Sequence, residues 1–219
     1  MTPHQRWRSR RAAGLELADL VAARLDEPSS VLVLGLPRGG VAVAAPLAAT
    51  LGAELDVLVV RKAGVPWRPE LAMGAVTADD VRVRNDDVLE RVDVAEREID
   101  RAFDAARAEA SDREQRLRPG WPPVAFGGRT VVIVDDGLAT GATARAAAQV
   151  LANAPTPPTR SILAVPVGPR ETFEALEVDY DSVVALVRAE RFDAVGSWYD
   201  DFSQVPDETV TALLQMERR

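Results

Sequence analysis

Val131-Val132-Ile133-Val134-Asp135-Asp136-Gly137-Leu138-Ala139-Thr140-Gly141-Ala142-Thr143 is the stretch on which the reading of this chain turns. It opens with four consecutive β-branched apolar residues. A short run without polar alternation fits a strand buried on both faces. Two carboxylates end it, a turn of small and hydroxyl residues follows, and the spacing predicts a helix over 141–152. The same order recurs upstream. Val31-Leu32-Val33-Leu34-Gly35-Leu36 reads as a buried strand, Pro37-Arg38-Gly39-Gly40 breaks it, 41–51 reads as a small-residue helix, and 55–60 as a second buried strand. Two more strands are predicted at 162–167 and 182–187, with a short helix over 169–177 between them. This alternation predicts an α/β fold, a doubly wound, Rossmann-like parallel sheet with helices on both faces. Ligands of such sheets bind beyond the C-terminal strand ends. The loops after 36, 60 and 134 are therefore the places to look for chemistry.

Outward from that frame, Leu15, Leu17, Leu20, Val21 and Leu25 predict a helix over about 10–25, ending before Pro28. Residues 61–70 carry Pro66, Pro69 and Gly64 and read as irregular. A hairpin is predicted over 71–85, turning at Ala78-Asp79-Asp80. Val88, Val92, Ala95, Ile99, Phe103 and Ala106 recur at spacings of three and four, predicting one amphipathic helix over about 87–115. Residues 117–128, rich in proline and glycine, read as a surface connection, and 206–216 as a final helix. The chain is expected to be a single domain, 1–219. Within it, 71–128 is a flap or insertion, and 190–219 a hood with the C-terminal helix.

Composition narrows the chemistry. With 219 residues, 47% of them hydrophobic, the chain can bury a core without covalent staples. The absence of cysteine excludes disulfides, thiolate metal sites and a cysteine nucleophile. His4 is the one histidine, which argues against histidine-based catalysis and multi-histidine metal sites. A net charge of -8 disfavours a nucleic-acid partner. Of 26 basic residues only Lys62 is a lysine, which singles it out. The most apolar stretch, 41–53, is too short to span a bilayer. Arg10-Arg11 invites comparison with an export signal, but Glu16 and Asp19 interrupt what should be its apolar region. A cytoplasmic protein is expected.

The turn after Val134 holds an electrostatic tension. Free N–H groups at a helix start attract a phosphate, worth about 0.3–2 kcal/mol. Two carboxylates beside it repel the same phosphate by about 1–4 kcal/mol per charge pair at 4 Å. A sugar phosphate resolves the conflict, because its ring diol donates to the carboxylates while its phosphate lies in the turn. A Walker A loop is excluded, since no lysine follows a glycine here, and no G-x-G-x-x-G fingerprint occurs.

Residues 131–143 closely resemble the motif with which type I phosphoribosyltransferases bind 5-phosphoribosyl-1-diphosphate (PRPP). The resemblance implies that Asp135 and Asp136 bind the ribose hydroxyls and that Ala139, Thr140, Gly141, Ala142 and Thr143 cradle the 5′-phosphate. It implies that Arg38, Gly39 and Gly40, after the first strand, bind the leaving diphosphate, helped by Arg61 and Lys62. Arg38, Lys62, Asp135 and Asp136 would then be the catalytic set. Purine members carry a C-terminal hood; Trp198, Tyr199 and Asp200 within 192–202 resemble one and would contact the acceptor base. Hypoxanthine/guanine members carry an aspartate where this chain has Ala139, so the chain looks more like adenine or orotate members. Gly137 is a smaller departure. The family implies Mg²⁺, carried mainly by substrate phosphates, with no dedicated protein ligand beyond Asp135 or Asp136, and a homodimer. The resemblance extends over about 10–216, including Leu-Pro-Arg-Gly-Gly at 36–40 and Trp-Tyr-Asp-Asp-Phe at 198–202, and matches poorly assigned bacterial phosphoribosyltransferase-like proteins.

Two other classes stay open at this point. One is a PRPP-sensing regulator without transfer activity. The other is a phosphatase on a similar sheet, although the Asp-x-Asp spacing of an aspartyl nucleophile is absent.

Overall fold

The computed structural model describes residues 6–25 and 30–216. His4 and Pro28 lie outside the described residues. The first helix, α1 (Arg10–Ala22), starts where the Ser9 hydroxyl accepts from the Ala12 N–H at 3.3 Å. It is followed by β1 (Val31–Gly35), buried at every residue, α2 (Gly39–Leu51) and β2 (Glu54–Val57). The second predicted strand is thus shorter than expected. Leu58, Val59 and Val60 leave the ladder while their side chains stay largely covered.

The insertion begins earlier than predicted. Residues 61–70 are not irregular: β3 (Arg61–Val65) and β4 (Arg68–Val76) form an antiparallel hairpin around Pro66-Trp67, and β5 (Arg82–Arg84) adds a third strand. Both prolines are tolerated. Pro66 sits in the turn, and Pro69 lies where the β3–β4 register slips on either side of Gly64. The predicted long helix is two helices, α3 (Asp86–Leu89) and α4 (Glu96–Leu117). The Glu98 side chain accepts the Ala95 N–H at 3.3 Å and starts the second. Ile99, Phe103 and Ala106 on α4 bury against Ala63, Val65, Met73 and Val76, giving the insertion a core of its own.

The main sheet resumes with β6 (Thr130–Val134), α5 (Ala142–Ala152), β7 (Arg160–Pro169), α6 (Arg170–Leu176), β8 (Ser182–Ala189) and finally α7 (Asp207–Met216). Its strand order is β2-β1-β6-β7-β8, every pair parallel, with Gly35 opposite Val134 and Val134 opposite Ala164. One face packs against α1, α2 and α7, the other against α5 and α6. β1 and β6, at the centre, deliver the 36–40 loop and the acid pair to the same sheet edge. No helix of the described residues is long and apolar enough to cross a membrane.

The 117–128 connection is pinned rather than loose. Leu117 and Arg118 are buried. Arg118 donates to Asp56 at 3.3 Å and also to Glu114, and the Val124 N–H donates to Asp56 at 2.7 Å. Asp56 sits on β2, so this connection ties the insertion to the sheet edge.

Candidate active site

The acid pair emerges at the C-terminal end of β6 against the first turn of α2. Gly39 and Gly40 permit that approach. A Cβ on Gly39 would lie 1.8 Å from Asp136 Oδ2, and one on Gly40 would lie 2.4 Å from the Val134 carbonyl. These glycines are the opening residues of α2, Gly39 half-buried and Gly40 buried, so their observed role is close packing. The Pro37–Arg38 peptide bond is cis.

The two aspartates have different surroundings. Asp136 is already partnered: Arg10 Nε donates to its Oδ2 at 2.7 Å, and the Tyr199 hydroxyl donates to its backbone carbonyl at 2.6 Å. Arg10 also donates to the Ser203 carbonyl at 2.9 Å and stacks 3.9 Å over the Phe202 ring. Asp135 lacks such a cation in contact. Its Oδ1 accepts the Asp136 N–H at 2.8 Å. Burial, then the neighbouring Asp136 charge, push its carboxyl well above the usual carboxylate range. Tyr199 is held protonated, first by burial and then by Asp136.

The turn after the pair is open. Ala139, Thr140 and Thr143 are exposed and lead into the N-terminus of α5, whose first N–H, that of Ala142, donates to Thr140 Oγ1 at 3.4 Å. Gly141 takes a left-handed φ of 70°, and a Cβ there would press within 2.8 Å of Thr172. Thr172 in turn donates to the Ala139 carbonyl at 3.1 Å, so α6 braces the turn from behind.

A cavity of about 440 Å³ opens beside the turn; Thr143 lines it, whereas Asp135, Asp136 and the rest of the turn do not. It is lined by Arg38, by Arg61 and Lys62 at the start of β3, by Arg113 from α4, and by Thr143 from the start of α5. Four cationic side chains therefore face one space in a protein whose net charge is -8. Three of them, Arg38, Arg61 and Lys62, are residues the sequence singled out. Arg113 was missed, because on a charged amphipathic helix it is indistinguishable from the solvated face. Arg10 was missed because nothing sets it apart from Arg6, Arg8 and Arg11. A larger apolar groove, about 710 Å³, runs along α1, α2 and α7 and has no comparable cation set.

The hood differs from its expected form. Trp198 and Tyr199 are buried at 6% and 1% exposure, packed with Trp7, Ala13 and Val167. The Trp7 N–H donates to the Trp198 carbonyl at 2.9 Å, and the Trp7 carbonyl accepts from the Asp200 N–H at 2.8 Å. Their ring faces are engaged by protein, so they anchor the hood rather than face a ligand. Asp200 is exposed, 3.7 Å from Arg6. Phe202, with 37% exposure, is the more accessible aromatic group of this segment.

Residues 10–189 match the family described as the phosphoribosyl transferase domain. The chain belongs to that family. It is 45% identical over 207 residues to provisionally named phosphoribosyl transferases of two Mycobacterium tuberculosis strains, covering 94% of this chain and 46% of each relative. The chain thus spans about half the length of the curated relatives it matches. It is 42% identical to TT1426 from Thermus thermophilus, whose crystal structure superposes with a TM-score of 0.87 over 97% of this chain and 99% of that one. The phosphoribosyl transferase fold explains the parallel core sheet, and the small antiparallel sheet stands beside it as a flap.

Proposed function

We propose that this chain transfers a 5-phosphoribosyl group from PRPP, with Mg²⁺, to a nitrogen acceptor, in the first instance a nucleobase, and releases diphosphate. One observation carries the reading: the cavity that holds Arg38, Arg61 and Lys62 is shared with Thr143 at the helix start beside the acid pair. A diphosphate and a 5′-phosphate on one ribose need that adjacency.

In the transfer, the bond from C1′ to the diphosphate oxygen breaks, a bond from the acceptor nitrogen to C1′ forms, and the proton of that nitrogen passes to the departing diphosphate or to water. Positive charge builds on the ribose, as in other glycosyl transfers. Fixed cations aimed at the departing oxygens lower the barrier without reorganising. Arg38 binds phosphate oxygens through its planar fork, and Lys62 acts as a point charge. Ala139 to Thr143 hold the 5′-phosphate on backbone N–H groups and hydroxyls. Asp135 accepts from a ribose hydroxyl. Asp136, with Oδ2 held by Arg10, offers its other oxygen.

The donor set suits an ion that arrives on the substrate. Among the described residues no three His, Cys, Asp or Glu side chains stand close enough to hold a metal, and Mg²⁺ binds readily through one or two carboxylates plus phosphates. Asp135 or Asp136 would contact it, directly or through water. When bound, the ion offsets charge on the diphosphate.

With alanine at 139, no carboxylate reads the acceptor from that position, which favours an adenine- or orotate-type acceptor over a 6-oxopurine. The hood segment 192–202 forms the acceptor wall, with Trp198 and Tyr199 as anchors beneath it and Asp200 at the rim. A single domain over 1–219, a homodimer and a cytoplasmic location complete the proposal. Asp135→Asn combined with Asp136→Asn should abolish PRPP binding in a calorimetric titration while the circular dichroism spectrum stays unchanged. Unaltered affinity would reject the site. Nucleotide formation from a nucleobase panel with PRPP and Mg²⁺ identifies the acceptor.

A further inference from the structure

Arg113 and Asp207 belong to no motif of the sequence, yet they pair: Arg113 lines the cation cavity, and Asp207, which does not line it, contacts two of the arginines that do. Arg113 reaches the cavity from the insertion. Asp207 reaches its cations from the first turn of α7, where a carboxylate gains from the helix dipole. Arg113 Nη1 lies 2.8 Å from Asp207 Oδ2, and Arg38 Nη1 lies 3.6 Å from Asp207 Oδ1. Asp207 Oδ1 is buried and accepts no hydrogen bond, so Arg38 attracts it without binding it. One carboxylate therefore serves two of the cavity's four cations. Arg61 is only weakly compensated, 3.9 Å from the exposed Glu109. Among the described residues no ion pair of Lys62 is seen.

We infer that Asp207 is a built-in counter-anion of this cavity, holding Arg113 and Arg38 until an anionic ligand takes its place, and that Arg113 is a further phosphate-binding residue. The inference rests on reading the cavity as a diphosphate site. A bound diphosphate would compete with Asp207 for the same guanidinium N–H groups and would be repelled by its charge. The exchange is a side-chain event. Thr211 on α7 donates to the Arg116 and Leu117 carbonyls at 3.3 and 3.2 Å, so α4 and α7 stay docked when the ion pair opens.

The sign of one measurement separates this role from a merely positioning one. A carboxylate that only positions Arg113 and Arg38 makes anion binding tighter, so its removal weakens binding. A competing counter-anion makes binding weaker, so its removal tightens it. Inorganic diphosphate titrated calorimetrically into the full chain is the probe. Asp207→Asn should tighten binding about two- to fivefold, the scale of one partly exposed ion pair. Arg113→Ala should weaken it at least about tenfold, as loss of a charge-assisted hydrogen bond does. Arg113→Lys should restore part of the loss. Asp207→Ser gives a second reading should the asparagine variant lose its thermal transition. Weaker or unchanged binding in the Asp207 variants overturns the counter-anion, and unchanged binding in Arg113→Ala overturns the second assignment. If Arg38→Ala weakens diphosphate binding while the Arg113 and Asp207 variants do not differ from wild type, the diphosphate reading stands and this inference falls. If the unaltered chain takes up no diphosphate, both fall together.

Discussion

Asp135 and Asp136 are adjacent and identical in type, yet only Asp136 received a cation. The physical reason is geometric. Successive residues leaving a strand point to opposite sides, and only one side faces α1, where Arg10 waits. Asp135 is left with burial and a like charge, both of which favour its neutral form. Its folded-state value lies above the ordinary aspartate value, so the native state binds the extra proton. Stability then falls as pH rises through the window between the two values. Asp135→Asn keeps the acceptor oxygen for the Asp136 N–H and removes the charge. Thermal melts should show the variant matching wild type near pH 3. At pH 7 it should melt higher than wild type. A variant that melts lower at neutral pH would show that the carboxylate stabilises the fold. The acid pair, the open turn and three of the four cavity cations were legible in the sequence, because each stands at a strand end or beside one. Arg10 and Arg113 were not, because a buried arginine and a solvated one look alike until the partner is known.

At the scale of elements, the insertion shows where periodicity succeeds and where it fails. Ile99, Phe103 and Ala106 fall on one face of α4, as their spacing required. The break between α3 and α4 was invisible, because Val88 and Val92 continue the apolar spacing across it while Glu98 draws the chain into a new start. The 61–65 and 68–76 hairpin was misread for a different reason. Proline excludes a regular ladder position but not a turn or a register slip, and only the pairing shows which applies. Because Phe103 is the centre of a small separate core, Phe103→Ala should cost about 3–5 kcal/mol. Amide exchange should quicken across β3, β4 and α4 well before β1, β6 and β7. Uniform quickening throughout the chain would mean that the insertion has no stability of its own.

Across the whole molecule, the insertion is fastened to the sheet by Arg118 and Asp56, whose side chains are 3% and 1% exposed. Breaking such a pair strands a buried charge. Arg118→Ala should lower stability by about 3–5 kcal/mol in urea titration, and a loss below about 1 kcal/mol would show that water reaches Asp56. The fastening also explains how Arg113, five residues earlier in the last turns of α4, is held at the cavity. The sequence by itself determined the parallel sheet, the order of its motifs along the chain and the acid pair with its open turn. These depend on local patterns, namely apolar runs, breakers and small residues that must follow one another. Only the tertiary structure decided that Arg10 pairs with Asp136, that Trp198 and Tyr199 serve as anchors, and that Arg113 of the cation cavity pairs with Asp207. Each of those contacts joins residues far apart in the chain, and the free energy of a charge or a ring depends on what surrounds it rather than on what precedes it.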